Sequence, residues 1–402
     1  MNIRSWFALV IMVLVTFVGT WNLLIFAPLQ PFIAFDLGVS IGEAAQLTTA
    51  SAGFAVMTLV VFGLFGSRAS MRHLIWVGLI SMVVGSLLLT TTKDYTLLLL
   101  IRFFNGAADG LIYPAAWVAL GHYLPKEKQD TWGIAAIIAG TGVASFVGLP
   151  LTAWFLNDHS WQFAVTIMAM VGSGVFLISL TLPPTPRLVY KEKLGGFSTI
   201  LGDRNLFLLL LANIFGAASW FGALAFVGSF IVQTYSPSLN DLAWFFVIAG
   251  GLFTVTVVAT GVLAVTPKLQ KAASIGSSIL VVPMTMVFFG ITEGFWLTAG
   301  LAAAFAVFRA PGVTSLESLL FAASEKTTAR VPAIAALDSP TYLGTMGAAA
   351  IGGIVLSQST YFGIGVIFAA SAALSLAFLL MYRTDAVASE EPRKTVEEKV
   401  AT

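Results

Sequence analysis

The sequence predicts an all-α membrane protein, with twelve transmembrane helices arranged as two six-helix bundles in parallel repeat. Three observations carry that expectation. Hydrophobic residues make up 58% of the chain and charged residues only 10%, against roughly 25% charged in soluble domains, so the chain needs lipid as its solvent. Twelve apolar segments fill nearly its whole length, each matching the roughly 20 helical residues that cross a hydrocarbon core. The second six echo the first at an offset of about 198 residues. Gly19-Thr20-Trp21-Asn22 answers Ala218-Ser219-Trp220-Phe221, Gly63 to Gly66 answers Gly261 to Ala264, and Pro125 to Lys128 answers Ser324 to Lys326. Six crossings per half is an even number, so both halves enter the membrane in the same sense. Parallel repeats of this kind build secondary transporters with a site where the halves meet.

Each segment follows from the same physics. Lipid offers no partner to an open backbone group, and the segments are too long and too evenly apolar for barrel strands, so they are helices. The expected spans are 5–30, 45–66, 74–92, 95–121, 132–156, 162–183, 206–232, 242–265, 272–291, 295–321, 331–356 and 361–382. The first follows a short basic start, as a signal peptide would, but it exceeds a signal core and sits inside the repeat, so it is expected to be retained. Pro183, Pro184 and Pro186 stop the sixth helix, because proline cannot continue one and restricts the residue before it. That divides the chain into a first bundle over 1–183, a linker over 184–205, a second bundle over 206–383 and a polar, disordered tail over 384–402. The remaining loops are short, which leaves no extramembrane domain for nucleic acid or soluble chemistry.

Charge placement sets the orientation. With the N-terminus cytoplasmic, 17 of the 20 Lys and Arg residues fall on cytoplasmic loops or tails, while Lys93 lies outside and Arg102 and Arg309 lie within helices. The positive-inside rule then places both termini in the cytoplasm of a cell with the protein in its inner or plasma membrane. The absence of cysteine removes disulfides and thiolate metal sites. No Gly-x-x-x-x-Gly-Lys-Ser/Thr, His-Glu-x-x-His or Gly-x-Ser-x-Gly pattern occurs, so neither ATP-driven nor hydrolytic chemistry is indicated and no cofactor or metal is expected. His73, His122 and His159 fall in or near loops, which argues against an imidazole relay in the membrane.

Four stretches carry a family resemblance. The loop after the second helix reads Gly63-Leu64-Phe65-Gly66-Ser67-Arg68-Ala69-Ser70-Met71-Arg72. The fourth helix holds Arg102-Phe103-Phe104-Asn105-Gly106, and the fifth runs from Gly140 to Pro150 through Gly142 and Gly148, followed by Trp161-Gln162-Phe163. The tenth holds Arg309-Ala310-Pro311. Together these resemble the major facilitator superfamily over essentially the full chain, in particular its drug–proton antiporter branch with the arabinose-efflux-like permeases. The loop departs from the family's Gly-x-Leu-Ala-Asp-Arg-x-Gly-Arg-Lys, with Ser67 in place of the aspartate and Ser70 in place of the second glycine. The resemblance implies a monomer without cofactor that works by rocking its two halves, with the first, fourth, seventh and tenth helices around a central cavity. Read from the residues alone, Gly140, Gly148 and their neighbours make a small-residue face that another helix can approach closely.

Five ionisable residues lie away from the water interface: Arg102, Asp109, Arg309, Glu317 and Asp338. A charge at the bilayer centre costs at least ~2.5 kcal/mol, so each is a functional candidate. Asp109 and Arg309 stand 200 residues apart at pseudo-equivalent places. In the resembled fold they would face each other or share a substrate, Asp109 as proton or cation residue and Arg309 as its partner or as an anion ligand. Arg102, seven residues before Asp109, projects from the same face about 10 Å along the axis and could tune its proton. Glu317 and Asp338 are expected near the cytoplasmic ends of their helices, gating with each other's helix ends or with Arg68 and Arg330. Trp21 and Trp220 at matched places could form the apolar walls of a substrate site, with Asn22, Asn213 and Tyr113 nearby. The expected function is proton-coupled export of small amphipathic organic compounds. The alternatives are proton-coupled uptake of an organic anion or a non-transporting membrane sensor.

Overall fold

The computed structural model describes residues 3–124, 134–156, 160–185, 201–264, 266–325 and 330–383. The expected loop 125–128, most of the linker, His159, Lys326 and the tail lie outside them. Within the described residues the regular structure is helical, twelve long segments in order with a short 3-10 turn at Gly66–Arg68 after the second. The first is broken at Ile25 into Ile3–Leu24 and Phe26–Leu37, and the next three are Ile41–Phe65, Met71–Leu89 and Tyr95–Tyr123. The fifth joins Ile134–Val143 to Leu149–Phe155 through a π-helical turn at Ala144–Gly148, and the sixth is Trp161–Ser179. The second six are Arg204–Tyr235, Leu239–Leu263, Pro267–Gly290, Phe295–Glu325, Arg330–Gln358 and Tyr361–Met381. Both ends of the eighth lie 198 residues after those of the second, so the repeat period read from the sequence is kept by the helix boundaries.

Helix starts follow local chemistry. Ser40 and Glu43 form a reciprocal capping box, and Asp94, Asp203, Ser238 and Thr266 each accept from a backbone N–H three residues on. The first segment runs further than expected. Pro28 falls in the opening turn of its second piece, where proline is tolerated. Only Gly38, at φ 65°, ends it, in the left-handed C-cap conformation that suits glycine. Ten segments, counting the two pieces of the first as one, are long and apolar enough to cross a membrane. The two that are not among the ten are the divided fifth and the eleventh, which carries Asp338, Ser339, Thr341 and Thr345. Large apolar side chains such as Met170, Leu177, Val255 and Val262 point outward and stay exposed, as lipid-facing residues do.

The apolar clusters centre on one half or the other and reach across the junction, as Leu149 and Ala153 do in one and Ile334 and Ala335 in another. Met12, Val15, Leu79, Met82 and Ile112 centre one in the first half, and Phe226, Phe230, Phe288, Phe289 and Phe368 centre an aromatic one in the second. The halves meet along two seams related by the repeat, second helix on eleventh and fifth on eighth. Glycine permits the closest approaches. A Cβ at Gly250 would lie 2.5 Å from the Ser145 carbonyl on the fifth helix, and one at Gly42 would lie 2.5 Å from the Gly353 carbonyl on the eleventh. Chain direction defines a terminal side, holding Ile3 and the Gly66–Arg68 turn, and a distal side, holding Gly38 and Ser40. On the distal side the outer piece of the first helix leans on the seventh, where Gln30 and Ser229 share a buried hydrogen bond of 2.7 Å. On the terminal side the fourth and tenth helices touch through the stacked rings of Trp117 and Phe321, 5.8 Å apart.

Candidate functional site

Asp109 is 3% exposed near the middle of the fourth helix. Its Oδ1 accepts from Asn22 Nδ2 at 2.8 Å and its Oδ2 from Ser51 Oγ at 2.7 Å. Its backbone carbonyl accepts from Tyr342 Oη of the other half at 2.9 Å. Ser51 can reach it because the second helix lies almost on the fourth. A Cβ at Gly106 would strike the Ser51 carbonyl, and one at Gly110 would lie 2.7 Å from the Ala55 carbonyl. Gly106 and Gly110 therefore serve the site by removing bulk.

Arg102 is fully buried behind this carboxylate. Its Nη2 donates to the Asn22 carbonyl at 3.1 Å, and its Nη1 to Asn22 Oδ1 at 3.4 Å and to Asn105 Oδ1. The guanidinium carbon lies 4.5 Å from the centre of the Phe26 ring, a cation–π contact. Asn105 is fixed in turn by donating to Met82 O at 3.2 Å. Asn22 is thus a bridge, taking hydrogen bonds from the guanidinium and giving one to the carboxylate. The positive charge that acts on Asp109 is that of Arg102.

The expected pairing of Asp109 with Arg309 is not formed. Arg309 is 5% exposed and lies within the second half, its Nη2 3.0 Å from where a Cβ of Gly216 would stand and its Nη1 2.9 Å from that of Gly312. The carboxylate acting on it is Glu317. Pseudo-equivalence explains the difference, because a parallel repeat sets the two residues at one height but each among the neighbours of its own half. Glu317 is exposed and Asp338 half-buried, and Arg68 lies exposed over the Phe65 ring at 5.5 Å. Among the described residues the one ion pair is Lys93 with Asp36, so no latch joins Arg68 to Glu317 or Asp338. The side chain of Arg330 lies outside the described residues.

The matched tryptophans have unlike surroundings. Trp21 is 1% exposed, donates from Nε1 to Thr152 Oγ1 at 2.9 Å and covers Gly148, where a Cβ would stand 2.8 Å from its ring. It braces the first helix on the fifth and is not a cavity wall. Trp21→Phe should therefore lower thermal stability by about 1–2 kcal/mol, the sum of a lost hydrogen bond and a little packing, measurable by unfolding in detergent. Trp220 does line a cavity. It stacks on Phe253 at 4.8 Å and tilts on Phe305 at 5.4 Å, in an apolar chamber completed by Phe245, Phe246, Phe288 and Leu149. Asn213 donates to Thr341 Oγ1 at 3.2 Å and ties the seventh helix to the eleventh instead of joining that chamber. Tyr113 shares a hydrogen bond with the Thr141 hydroxyl. It lines a second, smaller cavity, where Thr20, Asp109 and Tyr342 bring polar groups beside Leu23 and Ile112.

Ser51 and Tyr342 were not legible as site residues. A lone hydroxyl in an apolar span gives no hydropathy signal. Tyr342 carried one that could have been read: it follows Asp338 by four residues, as Tyr113 follows Asp109.

Comparison with known proteins agrees with this architecture. A family model described as Major Facilitator Superfamily matches residues 9–329. AraJ of Escherichia coli (strain K12), a protein assigned as a transporter, is 22% identical over 257 residues, 64% of this chain and 65% of its own length. The aspyridones efflux protein of Neocamarosporium betae is 28% identical over 149 residues, 36% of this chain and 24% of its own. The chain thus matches less than two thirds of either relative. Among solved structures, the nucleoside transporter NupG (D323A mutant) superposes with a TM-score of 0.72 at 13% identity, covering 95% of this chain and 100% of that one, a likeness of fold.

Proposed function

The chain belongs to the Major Facilitator Superfamily, a multi-pass membrane transporter, and on that footing we propose that it exports small amphipathic organic compounds in exchange for protons. The observation that carries the reading is Asp109, an intramembrane carboxylate held by its own half through Asn22 and Ser51 and joined to the other through Tyr342. A titratable group at the junction of two moving bodies can link its proton to their separation. Trp220 and its aromatic chamber suit the apolar part of a substrate. The relative named for efflux favours export, and the basic loops support a cytoplasmic position for both termini. The two halves, 1–183 and 206–383, would rock as a monomer about the second–eleventh and fifth–eighth seams.

Arg309 favours a second reading, uptake of an organic anion with protons. Its guanidinium is almost wholly buried and its Nε has no hydrogen-bond partner, which suits a carboxylate ligand. Arg102, the other buried guanidinium, would be the second anion-binding group.

Purified protein in proteoliposomes separates these readings. A panel of lipophilic cations, anions and neutral compounds would be presented with a pH gradient of either sense, and proton movement followed with a pH-sensitive dye. Export coupling predicts proton flux opposite to a compound's flux, and loss of that coupling in Asp109→Asn with folding retained. Undiminished coupling in Asp109→Asn would rule out Asp109. Flux of anion and proton in one direction would replace the first reading with the second.

A further inference from the structure

Two helices from opposite halves carry one short motif in opposite directions. Asp109 and Tyr113 stand four residues apart on the fourth helix, and Asp338 and Tyr342 four apart on the eleventh. Four residues is about one helical turn, so each pair shares a face. The fourth helix runs from the distal to the terminal side and the eleventh runs back. Tyr342 already reaches the Asp109 carbonyl at 2.9 Å, and the antiparallel register then sets Asp338 opposite Tyr113. The charge of Asp338 acts on the Tyr113 phenol accordingly. Each aspartate thus stands at the level of a tyrosine of the other half, and Tyr342 reaches Asp109 through its backbone carbonyl.

The two carboxylates are held very differently. Asp109 accepts two side-chain hydrogen bonds and has Arg102 behind it. Asp338 has no such support: its Oδ2 is buried without a partner. Among the described residues the one charge that acts on it is that of Glu317, a second carboxylate on the tenth helix, which has Arg309 as its own counter-charge. The other packed elements bring nothing closer. The second helix carries Glu43 at its distal end, with Arg68 just past the terminal one. The seventh has Arg204 at its start and Tyr235 at its distal end, and the twelfth carries one titratable group, Tyr361, at its distal start. The remaining groups, Glu325 and Arg330, sit at the terminal ends of the tenth and eleventh helices. Within the bundle Arg102 answers Asp109 and Arg309 answers Glu317, which leaves Asp338 over. An unpaired carboxylate in such surroundings sheds its charge by taking a proton.

We propose that Asp338 is the proton-bearing member of a coupling centre that it forms with Asp109, Tyr113 and Tyr342 across the junction of the halves. The proposal rests on the proton-coupled reading above and says which group carries the proton while the halves are together. Release breaks the O–H bond of the Asp338 acid. A new O–H bond forms on exposed Glu317, or on the Tyr113 oxygen as that phenol passes its own proton toward Asp109 through the cavity the two residues line, and no electron changes hands. Ionised Asp338 then leaves an unmatched charge against the other half, which disfavours the closed contact. Loss of the proton and parting of the halves become one event.

Infrared difference spectroscopy on the purified protein in liposomes reads this without any substrate. At neutral pH the unaltered protein should show the carbonyl stretch of a protonated carboxylic acid. Asp338→Asn should abolish it, while Asp109→Asn and Glu317→Gln should keep it. Asp338→Glu should retain the band at a shifted frequency, an arm that holds even if Asp109→Asn fails to fold. Absence of the band in the unaltered protein, or its loss in Asp109→Asn or Glu317→Gln, would overturn the assignment. So would proton-coupled flux that persists in Asp338→Asn, an outcome that leaves proton coupling itself standing. An Asp338 band in a protein whose transport ignores the proton gradient would instead refute the coupling reading and, with it, the coupling role of Asp338.

Discussion

Arg102→Met is expected to cost about 3–5 kcal/mol of stability, the scale for removing one member of a buried charge pair, and the double variant with Asp109→Asn to cost clearly less than the two single losses together. The guanidinium is completely buried and donates to both the side-chain and the backbone carbonyl of Asn22, whose Nδ2 in turn donates to Asp109. Methionine fills similar volume without charge, so the loss reports electrostatics more than a cavity. Without Arg102, Asp109 is an anion with two neutral donors and no counter-charge. Replacing it by asparagine as well leaves a neutral polar network that can be satisfied by hydrogen bonds alone. The measurement is thermal unfolding of the purified variants in one detergent, arranged as a double-mutant cycle. Additive losses would mean that the two residues do not act on each other and that the network through Asn22 is incidental.

This pair shows where sequence reasoning reached and where it stopped. The spans were legible because burial in lipid demands long apolar runs, and observed helices such as Tyr95–Tyr123 and Tyr361–Met381 end within two residues of the expected bounds. The helix-packing face at Gly140 and Gly148 was legible too, and the first helix uses it, through Thr16 and Trp21. The five intramembrane charges stood out because each is costly there. Their partners did not. The internal repeat made Asp109 and Arg309 look like opposites, yet repeat symmetry specifies height and face, and the nearest neighbour depends on which residues each half supplies. The first half supplies Asn22 and Arg102 around Asp109, while the second supplies Glu317 for Arg309. Trp21 and Trp220 make the same point. One meets a threonine hydroxyl and a glycine, the other Phe253 and Phe305, and only the second therefore borders a cavity.

Gly228→Leu should hold the distal side open and stop transport while sparing each half. A Cβ at Gly228 would run into the Ala27 carbonyl and come within 3.0 Å of the Pro28 Cα, both backbone atoms of the first helix that cannot swing aside as a side chain would. The neighbouring hydrogen bond between Gln30 and Ser229 is buried, so spreading the helices by a methyl's width also forfeits that contact. Forcing bulk into such a contact costs about 1–3 kcal/mol, which at about 1.4 kcal/mol per tenfold shifts the closed population by roughly tenfold or more. The chain contains no cysteine, so one introduced thiol reports cleanly. Gln46→Cys sits at the distal seam, where the native amide lies 2.9 Å from the position of a Gly353 Cβ. A membrane-impermeant thiol reagent should label it about tenfold faster in the Gly228→Leu background than alone, with Asp109-dependent flux lost in parallel. Equal labelling rates together with intact flux would show that the first and seventh helices need not touch for the cycle to run, and the distal closure would then rest on the second and eleventh helices, where Gly42 meets Gly353.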